Sequence, residues 1–299
     1  MPSPVPSSRP KPSLLMRIPA ALLRKKLNVN KYDFGHVLVL AGSPSMLGAA
    51  ALTALSAMRT GAGLVTLGIP KSLNSTAQKK ISPAIMTFPL NETKNKTLSP
   101  KAFSQIKSRL KSFDAIALGP GLSRNTATRK FILQIIANFP TPLVIDADGL
   151  FALAGRGDVL LKTKSDKILT PHTGEMARLT GLSKDFIEKN RKRVAVEFSK
   201  RYKCLLLLKG HRTVVASPGG KIYMNTSGNP GMAKAGSGDV LTGIIAALLA
   251  QGSNAFDATK YGCYLQGRAG DLAAQKKGRA SMIATDIIEE IPRAIRLSS

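Results

Sequence analysis

Short, continuously apolar runs that stop at glycine, proline or aspartate constrain this chain most. The first is His36-Val-Leu-Val-Leu-Ala-Gly42, and others lie over residues 64–69, 115–119, 143–148, 167–170 and 205–209. Each has the length of one buried strand and is too short for an ordinary helix. Between them, residues 49–59, 102–111, 126–138 and 183–202 carry helical spacing. A strand, a returning helix and a further strand form the unit that builds parallel sheets, so an α/β protein is expected. Residues 213–216 and 221–224 flank Pro218-Gly-Gly220 and read as a hairpin. Helices near residues 255–276 and 285–296 end the chain. Residues 71–100 are polar and yield no element, and no internal repeat is present.

The stretch over residues 225–250 changes character midway. Its first half is glycine-rich, and its second half places Val240, Leu241, Ile244, Ile245, Leu248 and Leu249 on one helical face. The junction is Gly236-Ser237-Gly238-Asp239. A glycine loop feeding a helix gathers free N–H groups at the positive end of a dipole, which makes Gly236, Ser237 and Gly238 a candidate anion hole. Asp239 at that mouth has two readings: a base beside a transferring phosphoryl group, or a plain N-cap.

Five further loops follow predicted strands directly: residues 41–48, 119–123, 146–149, 170–175 and 209–213. In an open parallel sheet, ligands bind beyond the carboxyl ends of the strands, so these loops belong to one edge. Joined by the Gly236–Asp239 loop, they offer Lys209 to neutralise phosphates, His172 to orient a polar substrate, Glu175 to hold a hydrated magnesium and Asp239 to take a proton. Asp146 and Asp148 do not match calcium-loop spacing, and no metal ligand set is assigned. The combination suits phosphoryl transfer onto a hydroxyl, achieved by positioning and electrostatics.

Charge narrows the partners. The 299 residues carry 44 Lys and Arg against 17 Asp and Glu, a formal net charge of +27. Such a surface draws anions. The basic residues are scattered and not interleaved with stacking aromatics, so no specific nucleic-acid partner is expected. No apolar run reaches bilayer length, so no membrane partner is expected either. Cys204 and Cys263 lack metal-ligand spacing and read as reduced core thiols, which places the chain in the cytoplasm. The basic N-terminus, free of acids before Asp33, leaves an organellar destination open. Residues 1–30 read as a Pro/Ser-rich, poorly ordered tail and residues 31–299 as one domain.

An ordered set of motifs carries a family resemblance. It comprises Gly-Ser-Pro-Ser-Met-Leu-Gly-Ala at 42–49, Gly-Pro-Gly-Leu at 119–122, Asp-Ala-Asp-Gly at 146–149, Thr-Pro-His-Thr-Gly-Glu at 170–175, Leu-Lys-Gly at 208–210 and Ala-Gly-Ser-Gly-Asp-Val-Leu-Thr-Gly at 235–243. This set resembles the ADP/ATP-dependent NAD(P)H-hydrate dehydratases of the ribokinase-like superfamily. The resemblance implies a three-layer fold with a mostly parallel central sheet flanked by helices. It implies repair of hydrated NADH or NADPH, in which ADP or ATP phosphorylates the ring hydroxyl and loss of phosphate restores NAD(P)H, with magnesium present.

By the same resemblance Ala49, Gly121, His172 and Asp239 contact the hydrated dinucleotide. Lys209, Gly210, His211, Arg212, Thr213 and Gly238 contact the adenine nucleotide, and Asp239 is the base. A homo-oligomer, with a tetramer favoured, is implied too. Many family members carry an N-terminal epimerase domain, and this chain is expected to be a stand-alone dehydratase. Two alternatives stay open: a vitamin-precursor alcohol kinase of the same fold, and a nucleic-acid-binding module using the basic surface.

Overall fold

The computed structural model describes Met16 and residues 28–298. Apart from Met16 and residues 28–30, the expected N-terminal tail lies outside the described residues. Among the described residues nine strands form a single sheet: β1 (His36–Leu40), β2 (Leu64–Pro70), β3 (Met86–Leu90), β4 (Ala115–Leu118), β5 (Leu143–Ile145), β6 (Lys167–Leu169), β7 (Leu205–Leu208), β8 (Val214–Ala216) and β9 (Ile222–Met224). The α-helices described with them are α1 (Leu47–Arg59), α2 (Asn74–Lys80), α3 (Ala102–Lys107), α4 (Thr126–Asn138), α5 (Asp148–Leu153), α6 (Thr173–Thr180), α7 (Lys184–Lys189), α8 (Arg191–Tyr202), α9 (Ser237–Ala250), α10 (Ala255–Lys277) and α11 (Ala284–Ser298).

The strand order is β3-β2-β1-β4-β5-β6-β7-β8-β9. Strands β1 to β7 pair in parallel, and β8 and β9 add antiparallel at one edge. The order reverses between β1 and β4. That reversal opens a crevice at the carboxyl ends of the strands, where a ligand can enter.

Period-two alternation explains the layers. In β1, Val37 and Val39 join one buried cluster while Leu38 and Leu40 join the other. In β4, Ala115 and Ala117 face the first cluster and Ile116 and Leu118 the second. Both faces are therefore apolar, and helices cover both. The first layer is built by α1, α9, α10 and α11, and the second by α3, α4, α5 and α8.

Helix α9 is the central piece of the first layer, with residues 240–250 all buried. It approaches α1 so closely that a Cβ on Gly243 would lie 2.1 Å from Ser56 Oγ and 2.2 Å from Thr53 O. Only a glycine fits that crossing. Gly35, just before β1, meets the Ala250 carbonyl at the far end of α9. The helix thus spans the sheet and delivers its N-terminus to the carboxyl edge.

Several expectations need correction. Residues 71–100 contain α2 and the edge strand β3, whose partial exposure and Pro89 hide it from an apolar-run reading. The expected helix over residues 183–202 is two helices, broken at Asn190 (φ −124, ψ 27). The helix expected over 102–111 ends as an α-helix at Lys107. Among the described residues no helix is long and apolar enough to cross a membrane.

Candidate active site

The site begins where α9 does. Gly236 is the N-cap, with φ 88 in the left-handed region that glycine adopts freely. Its absent side chain leaves room for Leu52 of α1, whose Cδ1 would lie 2.6 Å from a Cβ there. Ser237 is held by Gln266 of α10, which donates to its carbonyl. The first-turn N–H groups of a helix lack intrahelical partners and point at whatever occupies the mouth.

Asp239 lies in this first turn, two residues inside the helix. It is not the N-cap, so the plain-cap reading of the sequence is set aside. Burial raises its carboxyl to about 7, Asp146 and Asp148 add to the rise, and Lys209 opposes it. A carboxyl titrating near neutrality is suited to proton transfer.

Asp146 follows β5 directly and is buried. Its Oδ1 accepts from Lys209 Nζ at 2.7 Å, and its Oδ2 accepts from Thr242 Oγ1 at 3.0 Å. A Cβ on Gly238 would lie 3.2 Å from Lys209 Nζ and 3.3 Å from Asp146 Oδ2. The start of α9 therefore rests directly on this ion pair. Ala147 next door has φ 49 and ψ −116, a conformation that costs a non-glycine residue about 1–3 kcal/mol. The turn sends Asp146 inward while Asp148 accepts from Ser123 N at 2.8 Å and so anchors the loop after β4.

Lys209 follows β7. Its N–H donates to Pro171 O at 2.8 Å, and His172 pairs with it in an isolated parallel bridge. Its ammonium also lies 3.9 Å from Glu175. Burial works against its charge, yet Asp146, Glu175 and Asp239 together raise its pKa above the ordinary lysine value. His172 caps α6: its Nδ1 accepts from Gly174 N and Glu175 N, while Glu175 Oε2 accepts the His172 N–H at 2.9 Å. The imidazole Nε2 is left to carry a proton on an exposed ring, 3.5 Å from Glu175 Oε2.

The remaining candidates flank this centre. Gly121 (φ 62) lies in the β4 loop, where a Cβ would meet Met46 at 2.6 Å and Ala49 at 3.2 Å. Gly121 and Ala49 therefore border the crevice between β1 and β4. On the other side, His211 and Arg212 are exposed and line a cleft of about 590 Å³ together with Lys189, Arg191, Lys192 and Arg193. They also line a second cleft of about 250 Å³ with residues 225–228. Arg212 has φ 54, and Thr213 Oγ1 donates to Gly210 O at 3.0 Å. The fold thus brings Asp239, Gly238, Lys209, Glu175 and His172 to one centre, with Ala49 and Gly121 on one side and residues 210–213 on the other.

Sequence reasoning passed over Asp146 as a site residue, along with Thr242 and Gln266. Asp146 carried a usable signal, because it is an acid at the end of an apolar strand. Thr242 and Gln266 sit within helices, and nothing in their spacing marks them. Among the described residues no group of three or more His, Cys, Asp or Glu forms a metal cage. The arrangement offers an anion-binding helix mouth, a fixed ammonium and a carboxyl poised near neutrality, which together suit transfer of a phosphoryl group.

Known proteins point the same way. A family model described as NAD(P)H-hydrate dehydratase matches residues 37–293. A bifunctional NAD(P)H-hydrate repair enzyme of Moorella thermoacetica is 43% identical over 275 residues, covering 92% of this chain and 52% of the relative. One of Thermofilum pendens is 36% identical over 278 residues, covering 93% and 53%. The chain therefore spans about half the length of the curated relatives it matches. A Bacillus subtilis ADP/ATP-dependent NAD(P)H-hydrate dehydratase, co-crystallised with ATP and Mg2+, superposes with a TM-score of 0.79 at 28% identity, covering 92% of this chain and 94% of that one. A hydroxyethylthiazole kinase of Pyrococcus horikoshii, at 15% identity and a TM-score of 0.64, shares the ribokinase-like fold alone. With a match running from the second residue of β1 into α11, the chain belongs to the NAD(P)H-hydrate dehydratase family.

Proposed function

We propose that this domain, residues 31–299, restores NADH or NADPH from their hydrated forms at the expense of ADP or ATP. The observation that carries the reading is the Asp239 carboxyl, raised to about 7 at the mouth of α9 and set against Lys209 and Asp146. Asp239 takes the proton of the ring hydroxyl. The freed oxygen attacks the terminal phosphoryl group, whose bond to the nucleotide breaks and releases AMP or ADP. The ring C–O bond then breaks with departure of phosphate, an adjacent ring proton is lost, and the C=C bond of NAD(P)H reforms.

The residues divide this work. The N–H groups at the start of α9, around Gly236, Ser237 and Gly238, face the transferring phosphoryl group and favour its negative charge. Lys209 supplies a fixed positive charge beside it. Ala49, Gly121 and His172 border the hydrated dinucleotide, and residues 209–213 border the adenine nucleotide. His172, with Nδ1 committed to its own helix, offers its Nε2 proton to the substrate.

Magnesium fits as a hydrated ion carried on the nucleotide phosphates, because the described residues offer no cage of three or more ligands and Glu175 is a carboxylate within reach through water. When bound it would offset the negative charge of the phosphates, with Glu175 as the carboxylate that would hold it through water. A homo-oligomer belongs to the same proposal, and sedimentation reads its size.

The test is absorbance: hydrated NADH with ADP or ATP should recover the NADH band. A stable phosphorylated product without NADH would instead favour an alcohol kinase.

A further inference from the structure

The break at Asn190 builds something. Because α7 stops there and α8 starts afresh, Arg191 turns its side chain beneath the carboxyl end of β7. Its guanidinium donates to Leu208 O at 2.8 Å and to Lys209 O at 3.1 Å. The other arm donates to Glu188 at 3.1 Å, and Thr173, the first residue of α6, donates to the same carboxylate. The Arg191 side chain is 13% exposed. Gly210 makes the space: a Cβ there would lie 2.9 Å from Arg191 Nη2 and 3.0 Å from Nη1.

Lys209 is consequently held from three directions. Its N–H is bound to Pro171 O, its carbonyl to Arg191, and its ammonium to Asp146. Beyond it the chain enters two unusual conformations, Gly210 at φ 147 and Arg212 at φ 54. Residues 210–212 are exposed, so little packing fixes them. The guanidinium fork supplies the order that packing does not, since its rigid planar donors match two carbonyls and a carboxylate at once.

We infer that Arg191 is a positioning residue for nucleotide binding, clamping the Lys209–Gly210 turn to the start of α6 through Glu188 and Thr173. This rests on the proposed function, in which residues 209–213 border the adenine nucleotide. The hydrogen bonds of Arg191 go to that turn, to Glu188 and to Thr173, and none goes to Ala49 or Gly121 in the crevice between β1 and β4.

The test compares wild type with Arg191→Ala, Arg191→Lys and Glu188→Gln. Calorimetric titration with Mg–ADP and Mg–ATP needs no turnover. Steady-state kinetics on hydrated NADH follow. Arg191→Ala should weaken nucleotide binding by about tenfold or more, and should raise KM for the hydrated dinucleotide by a clearly smaller factor. Arg191→Lys, which cannot bridge all three acceptors, should fall between, as should Glu188→Gln. Free guanidinium ion should restore part of the affinity lost in Arg191→Ala, which a general loss of stability would not allow. Unchanged nucleotide affinity in folded Arg191→Ala would overturn the inference. So would equal losses for both substrates with no guanidinium recovery. Wild-type protein that binds nucleotide but does not restore NADH would overturn the dehydratase reading and leave the Arg191 inference standing on the titrations.

Discussion

Replacing Asp239 by asparagine should lower turnover and raise stability together, with the stability gain confined to high pH. The carboxyl titrates near 7 in the fold against 3.8 ordinarily, because burial and then Asp146 disfavour its charge. For an acid moved upward, the fold is spared any penalty while the group is protonated in both states, and bears it fully once ionised in both. The penalty is therefore absent below about pH 4 and complete above about pH 8. A move from 3.8 to about 7 corresponds to at most about 4 kcal/mol, which partial solvent access reduces to roughly 2 kcal/mol.

Asparagine removes that cost but forfeits the attraction between a charge and the first turn of α9, about 0.3–1 kcal/mol. The net is roughly 1–1.5 kcal/mol, or a Tm higher by about 2–6 °C for a domain of this size. Thermal melts of both proteins at pH 8.5 and pH 4 read this directly. Turnover should fall at least about a hundredfold, since asparagine cannot accept the hydroxyl proton. An unchanged or lower Tm at pH 8.5 would refute the reasoning about the buried carboxyl. Near-normal turnover in the folded variant would refute its role as base.

Other outcomes follow from the same geometry. The wild-type rate should decline as pH falls through about 7, where Asp239 becomes protonated, and a pH profile of kcat checks this. Lys209→Met should drive that acid limb to higher pH, because Lys209 is the group that lowers the Asp239 value, and should weaken nucleotide binding roughly ten- to a hundredfold. An acid limb that stays in place would detach Lys209 from Asp239. Gly121→Ala, at φ 62 and 2.6 Å from Met46, should cost about 1–3 kcal/mol by denaturant melts and raise KM for the hydrated dinucleotide more than for nucleotide. Burial pushes the Cys204 and Cys263 thiols up to about 12, so a thiol reagent at pH 8 should label neither in the native protein and both in denaturant.

The sheet was legible because strands buried on both faces leave uninterrupted apolar runs, as in Val37 to Leu40 and Leu205 to Leu208. The edge strand β3 was not, since only one side of it needs apolar residues and Pro89 interrupts it. Helix α6 was hidden for a different reason. It opens on Pro171-His-Thr-Gly, which reads as a loop, and its N-cap is an imidazole in place of the usual hydroxyl or carboxylate. The break at Asn190 was invisible because both halves carry helix formers, and the contacts that Arg191 makes at the end of β7 cannot be read from local spacing.

In the candidate site, the glycine loop and its aspartate could be read because close backbone approach and a helix mouth require those residue types. The pairing of Lys209 with Asp146 could not. It depends on β5 and β7 ending at the same edge, two strands apart, and on α9 lying across them.

The proposed repair reaction is tested most directly by following absorbance at the NADH band while hydrated NADH is mixed with the protein, magnesium and either ADP or ATP. Recovery of the band is expected, with one inorganic phosphate released per NADH formed, and no recovery without nucleotide. Nucleotide consumption that leaves a stable phosphorylated product and no NADH, or no reaction with either nucleotide, would contradict it.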